Sequence, residues 1–292
     1  MKSESYSIKD LEVLSGIKAH TIRIWEKRYN LLNPNRTDTN IRFYTDEDLK
    51  RILNISLLTK SGYKISKVAS WDKTKINKTI IEIDAGKISE SNYIDRFLIA
   101  MINFDNVEFI KLLNKVLSGV EFEEAFLGIF FKLFERVGTY WQAGAIFPAQ
   151  EHFVSNIFRQ KLIAEIDRVY INNVKKSTML FFLPENELHE IGLLFYSYLA
   201  QKAGYNVIYL GQDLPSDDLG KIQLKIEIDY IFTAFANPIS KENLENYLVN
   251  LKDTFQQQKI FITGYQVQNH LPVLPRNFKV VKNFKEFRKF LG

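Results

Sequence analysis

Cysteine is absent from the 292-residue chain, so neither a disulfide framework nor a thiolate metal site is available to it. Hydrophobic runs of membrane length are missing too. The run Ala125 to Phe131 stops at Lys132, far short of the ~18 residues a membrane span needs. Met1-Lys-Ser-Glu-Ser-Tyr6 has no apolar signal region, so the expected location is the cytoplasm, away from membranes. Only four histidines occur, His20, His152, His189 and His270. Charge excess is absent over three quarters of the chain: residues 72–292 hold 26 Lys/Arg and 26 Asp/Glu, whereas residues 1–71 hold 13 against 8. That asymmetry predicts a small basic module joined to a neutral body, and the length allows two or three domains with their own cores.

In the basic module, apolar positions 8, 11 and 14 fit a short amphipathic helix over Ser7–Ser15. Gly16 turns the chain, and Lys18 to Tyr29 form a second helix with Ile22 and Trp25 inward. This is the helix-turn-helix pattern. Lys18, His20, Thr21, Arg23, Lys27 and Arg28 then face outward, groups suited to phosphates and base edges. Pro34, Arg36, Asn40, Arg42 and Tyr44 lie in a turn-rich stretch that makes a hairpin wing. Thr45-Asp-Glu-Asp48 opens a further helix with an N-cap residue and an acidic first turn. Tyr6-Ser-Ile-Lys-Asp-Leu11, Thr21-Ile-Arg-Ile-Trp-Glu26, Arg36 and Arg42-Phe-Tyr-Thr45 resemble the winged-helix DNA-binding domain of MerR-type regulators. The resemblance implies double-stranded operator DNA as partner, with Lys18, Thr21, Arg23, Lys27, Arg28, Arg36, Arg42 and Tyr44 contacting it.

Residues 72–90 are polar with little periodicity and read as a linker. Helical patterning returns near 92–103, 106–118, 121–142 and 148–170, which predicts an antiparallel four-helix bundle. Phe97, Phe109, Phe122, Phe126, Phe130, Phe134, Phe153 and Phe158 supply its core. Trp141 ends the third helix, and Glu151-His152 open the fourth, so all three belong to one end of the bundle.

From Ser177 short apolar strands (178–183, 207–211, 230–235, 259–264, 278–281) alternate with helices (189–203, 216–225, 240–256, 284–291). That alternation predicts a doubly wound parallel sheet. Between the first strand and its helix lies Pro184-Glu-Asn-Glu-Leu-His-Glu-Ile-Gly192. Ligands of parallel α/β sheets bind at this edge. A neutral imidazole at His189 can ligate a transition metal. Glu187 is placed to take the proton of its other ring nitrogen, and Gly192 lets a bulky group approach the helix start. Gly211, Asp213, Thr233 and Gly264 reach the same edge from the other strand ends.

Trp-x9-Glu-His followed by Glu-x-His-x-x-Gly resembles the cobalamin-binding module of regulators and of cobalamin-dependent methyltransferases. Together with the winged helix, it resembles the light-responsive MerR-type photoreceptors. The resemblance implies adenosylcobalamin or another cobalamin, held by a helical bundle on the upper corrin face and a flavodoxin-like domain on the lower. His189 would be the lower axial ligand and Glu187 its support. Trp141 and Glu151 would contact the adenosyl group, with His152 beside it, and Thr233 and Gly264 would line the tail slot. Tyr265 departs from the family's second glycine. In these photoreceptors a histidine directly after the motif tryptophan takes the upper position once light has cleaved the cobalt–carbon bond. Here that residue is Gln142, a weaker ligand. The expectation is a non-enzymatic, cobalamin-dependent regulator, a repressor, acting as a homo-oligomer (dimer or tetramer). Its domains would span 1–71, 91–172 and 173–292. Two other readings stay open: a cobalamin-dependent methyl-transfer protein, which leaves the winged helix unexplained, and a regulator whose sensor domain has lost the cofactor.

Overall fold

Reciprocal caps start the two helices that frame the N-terminal module. In the computed structural model, which describes residues 6–37, 39–84, 90–169, 177–270 and 274–292, Ser7 and Asp10 form a capping box at α1 (Ile8–Ser15). Gly16, at φ 73°, ends that helix in the left-handed region. α2 (Ala19–Tyr29) follows, then the two-residue strands β1 (Asn35–Arg36) and β2 (Arg42–Phe43), which pair antiparallel as the wing. Thr45 and Asp48 repeat the capping box at α3 (Asp46–Lys60). Leu11, Leu14, Ile22, Leu49 and Ile52 are fully buried and form the core of this module.

The chain divides into two compact units, Met1–Val154 and Ser155–Gly292, so the first unit holds the winged helix and most of the bundle. After the short α4 (Ile65–Val68) comes α5 (Lys73–Asp84), in the stretch read as a linker. Four isoleucines stand among three lysines, Ile76 and Thr79 are buried, and that packing sustains the helix. The bundle consists of α6 (Glu90–Ile102), α7 (Asn106–Gly119), α8 (Phe122–Ala125), α9 (Phe131–Gln142) and α10 (Pro148–Arg168). A π-helical turn, Phe126–Phe130, joins α8 to α9 where one unbroken helix was expected. Phe97, Phe109, Phe126 and Phe130 are fully buried, and Phe97 lies 4.8 Å from Phe109 between ring centres. This stripe is core.

The second unit is a five-stranded, wholly parallel sheet in the order β4-β3-β5-β6-β7; the alternating pattern predicts the parallel sheet, and the family resemblance implies its flavodoxin-like form. Its elements run β3 (Thr178–Pro184), α11 (Glu190–Lys202), β4 (Asn206–Leu214), α12 (Ser216–Gln223), β5 (Tyr230–Ala234), α13 (Lys241–Thr254), β6 (Lys259–Thr263), α14 (Tyr265–His270), β7 (Phe278–Val280) and α15 (Phe284–Leu291). The short α14 was not anticipated. Leu180, Ile231 and Ile260 pack with Leu244, Leu248 and Leu251 of α13 on one side of the sheet. On the other side Tyr196, Phe232 and Phe287 form an aromatic cluster, with Tyr196 and Phe232 4.4 Å apart.

Candidate cofactor site and nucleic-acid interface

The loop between β3 and α11 is held by one buried carboxylate. Glu187 is 4% exposed, and its Oε1 accepts from the His189 backbone N–H at 3.1 Å and faces His189 Nδ1 at 2.7 Å. Its Oε2 accepts from the backbone N–H groups of Ala236 and Asn237, both at 2.7 Å. Burial alone would raise this carboxyl's pKa, but the imidazole and the three backbone donors outweigh it and hold the pKa below the usual value. An ionised carboxylate only accepts, so Nδ1 carries the proton, and in the neutral ring Nε2 is the acceptor nitrogen. The His189 side chain is largely exposed. That is the arrangement of a metal-ligating histidine with its orienting carboxylate.

Backbone geometry supports the loop. Asn186 adopts φ 65° and Asp213 φ 58°; Asp213 Oδ1 accepts from Asn186 N–H at 2.7 Å, and the Asn186 carbonyl accepts from Asn237 Nδ2 at 2.6 Å. Asp213 therefore fastens the loop. Gly211, at φ 82°, sits where β4 shifts register against β3. Glu190, one residue after His189, pairs with Arg159 Nε at 2.6 Å and accepts from the Tyr209 hydroxyl at 3.1 Å, which fixes the first turn of α11. Sequence reasoning missed this cluster and the Ala236 and Asn237 amides. The Asn237-Pro238 turn dipeptide after β5 was the available signal.

Three observations fit this edge to a large polar-tailed ligand. A side-chain carbon at Gly192 would meet open space, so a bulky group has room beside the helix start. At Gly264, φ 106°, a Cβ would lie 2.3 Å from the Phe235 carbonyl oxygen, so only glycine lets β5 and β6 close together here. Thr233, fully buried in β5, has a hydroxyl with no hydrogen-bond partner, which a ligand's polar atom would satisfy. Tyr265, which stands where the family has its second glycine, is 69% exposed and has no left-handed backbone, so it does not fill the interior.

In the first unit, Trp141 on α9 is 54% exposed, and Glu151 Oε2 stands 2.8 Å from His152 Nδ1 in the first turn of α10. A turn through Gly144, φ 67°, connects them. On the winged helix, Lys18, Arg23, Lys27, Arg28, Arg36 and Arg42 are exposed and Thr21 is half-buried. Lys18 pairs with Glu12 at 3.1 Å. Tyr44 is a correction. It is fully buried, pairs with Tyr6 in an antiparallel bridge, and donates its hydroxyl to Glu26 at 2.6 Å, so it braces the wing instead of contacting DNA. Burial and the Glu26 carboxylate push its phenol pKa well up. Sequence reasoning missed Ile24 and Ile41, which are 54% and 64% exposed on α2 and at the wing tip. Ile24 lies one turn from His20, Lys27 and Arg28, so helical spacing could have placed it with them.

Two family models match the chain. The family described as MerR HTH family regulatory protein matches residues 6–73, and the one described as B12 binding domain matches residues 93–164. The chain joins a MerR-type DNA-binding domain to a B12-binding domain. The chain is 28% identical over 283 residues to the HTH-type transcriptional repressor CarH of Myxococcus xanthus, covering 94% of each chain. It is 22% identical to the repressor CarA of the same organism, over 91% of this chain and 89% of that one. Its first domain is 40% identical over 63 residues to the transcriptional regulator MlrA of Escherichia coli, which is 22% of this chain and 26% of that one. The solved monomethylamine corrinoid protein of Methanosarcina barkeri shares its fold, with a TM-score of 0.55 at 15% identity, covering 69% of this chain and 98% of that one. No helix among the described residues is long and apolar enough to cross a membrane.

Proposed function

We propose that this cobalamin-dependent regulator is a light-responsive repressor that acts in the cytoplasm and binds operator DNA as a homo-oligomer, with adenosylcobalamin as its effector. The observation that carries the cofactor reading is the buried Glu187 carboxylate fixing the His189 ring with Nε2 as its acceptor. His189 would ligate cobalt from below. Gly192, Gly211, Thr233 and Gly264 would border the corrin and its tail, and Asp213 would hold the loop. Trp141, Glu151 and His152 would contact the upper ligand. When bound, adenosylcobalamin would supply a light-labile cobalt–carbon bond; the chain's residues would bind, orient and transmit. Arg23, Lys27 and Arg28 of α2, with Lys18 and Thr21 beside them and Arg36 and Arg42 of the wing, would engage the duplex. An effector that binds without turnover makes the chain a binding protein and not an enzyme.

The test is an absorption spectrum of protein with adenosylcobalamin after gel filtration, dark and illuminated, in the native chain and in His189→Ala. The native chain is expected to retain corrin in the dark and to change spectrum on illumination, while His189→Ala retains much less. Equal retention in both overturns the axial role. Position 142 carries a carboxamide, a weaker cobalt ligand than imidazole, so the illuminated form should hold its corrin loosely, and Gln142→His should hold it firmly. A stable two-imidazole spectrum in the native chain that survives His152→Ala overturns this part.

A further inference from the structure

Two consecutive residues of α9 have opposite surroundings: Trp141 is 54% exposed, whereas Tyr140 is 4% exposed. The Tyr140 hydroxyl donates to the backbone carbonyl of Leu14 at 2.8 Å, across 126 residues of sequence. Leu14 lies in the last turn of α1, where helix carbonyls lack intrahelical partners. The neighbouring carbonyl, that of Ser15, accepts from the Ser56 hydroxyl of α3 at 2.7 Å. The end of α1, just before the turn into α2, is thus held by a side chain from the bundle and another from α3.

Behind Tyr140 stands a charged chain. One guanidinium nitrogen of Arg136, a turn earlier on α9, donates to the Tyr140 oxygen at 2.6 Å, and the other donates to Asp95 Oδ1 of α6. The second oxygen, Asp95 Oδ2, accepts from Lys60 Nζ of α3 at 2.8 Å. Asp95 is buried, and its carboxylate is balanced by these two cations, one from the bundle and one from the DNA-binding module. The network therefore has members on both sides and closes on itself: α9 to α1 through Tyr140, α9 to α6 to α3 through Arg136, Asp95 and Lys60. Buried networks of this kind have discrete arrangements, not a continuum, because a half-broken one leaves a carboxylate or a carbonyl unsatisfied.

We propose that Tyr140, with Arg136, Asp95 and Lys60, couples the upper-ligand end of α9 to the orientation of the DNA-reading helix. The inference rests on the reading of Trp141 as a cofactor contact. A displacement of α9 at Trp141 acts on Tyr140 one residue away, and Tyr140 grips α1 directly before the recognition helix. These are positioning residues: none of the four needs to touch cofactor or DNA.

The experiment uses Tyr140→Phe, which keeps the ring in its buried place and deletes only the donor, and Lys60→Met, which alters the half-exposed end of the network. For each full-length protein, dark affinity for a duplex enriched from a random pool by the native chain is measured with and without adenosylcobalamin. The cobalamin spectrum is recorded in parallel. The native chain is expected to show a cofactor-dependent ratio of affinities. In both variants that ratio should shrink by roughly 2- to 10-fold, the worth of one buried hydrogen bond, with the cofactor spectrum unchanged. A ratio unchanged from the native chain in both variants overturns the coupling. So does loss of the cofactor spectrum in Tyr140→Phe, because Tyr140 would then belong to the cofactor site. A native chain whose DNA affinity ignores the cofactor overturns the functional reading, and the coupling with it. If Tyr140→Phe fails to fold, Lys60→Met alone decides.

Discussion

Replacing Glu187 by Gln changes one oxygen for an amide nitrogen and leaves shape and volume nearly intact. The carboxylate receives four donors, two on each oxygen. An amide offers one accepting oxygen and one NH2 donor. Facing the NH2 toward Ala236 and Asn237 sets it against two backbone N–H groups that cannot reverse, so the oxygen must take that side. The NH2 then faces His189, opposing the backbone N–H and forcing Nδ1 to become the acceptor. The ring's proton moves to Nε2, which removes the lone pair that would bind cobalt. Loss of an orienting partner of this type weakens metal binding by about 10- to 100-fold. Folding stability should fall by about 1–3 kcal/mol, because charge-assisted bonds become neutral ones and one buried donor is opposed. The pH dependence has a definite sign. The folded pKa of Glu187 lies below its unfolded value, so the stability it contributes is fully present above the unfolded carboxylate value of about 4.3 and is lost as pH falls through the folded value. The assay is equilibrium dialysis against cobalamin at neutral pH for the native chain, Glu187→Gln and His189→Ala, with melting temperatures from pH 3 to 6. Glu187→Gln should bind more weakly than the native chain and lose less stability on acidification. Native-like corrin affinity in Glu187→Gln would refute the tautomer argument.

Other changes test other parts. Gly264→Ala puts a Cβ 2.3 Å from the Phe235 oxygen at φ 106° and should cost about 3 kcal/mol or more, read by denaturant unfolding; a cost under about 1 kcal/mol would mean that β5 and β6 part easily. Arg23→Ala and Arg42→Ala should each weaken duplex binding and lower the slope of log affinity against log salt by about one, if each meets one phosphate. Tyr44→Phe should leave duplex affinity unchanged while unfolding reports a loss of about 1–2 kcal/mol, since the Glu26 carboxylate loses its donor.

The sheet was legible because short apolar runs alternate with helical patterns at a regular spacing, whereas alternation alone leaves its strand order open. The loop bearing His189 was legible for the same reason: a histidine between a strand and a helix must fall at the ligand edge. Most of what escaped was set by tertiary packing. α5 carries Ile76, Ile80 and Ile83 at the i, i+4, i+7 spacing of a helix, a period that the lysines and serines of the surrounding stretch mask. Tyr44 looks like a DNA contact beside Arg42 until its pairing with Tyr6 and Glu26 turns it inward. The partners of Glu187 come from 49 and 50 residues away and are backbone amides; the Asn237-Pro238 dipeptide marks a turn there but not which carboxylate it meets. The network from Lys60 to Arg136 shows the same limit: charged residues 35 and 41 apart from Asp95 have no reason to be paired by sequence alone.

Magnitudes decide how much regulation the described contacts can carry. An effector moves an equilibrium only by its differential affinity for the two states, and a shift from 1:99 to 99:1 takes about 5.5 kcal/mol. The Tyr140–Leu14 bond contributes about 0.5–1.5 kcal/mol, and the charge-assisted contacts through Asp95 about 1.5–3 kcal/mol. Rearranging the network therefore accounts for a modulation of DNA affinity of about 30- to 2000-fold at most, and less where the members act as one unit. A cofactor effect larger than that must come from assembly, in which one effector changes how many DNA-binding modules act together. Two linked modules gain affinity through effective concentration without any new contact, about 100-fold or more when their spacing matches the half-sites. The dependence on protein concentration separates the two sources. A response carried by Tyr140 is the same at all concentrations, whereas a response carried by assembly fades as the chain is diluted below its dissociation constant.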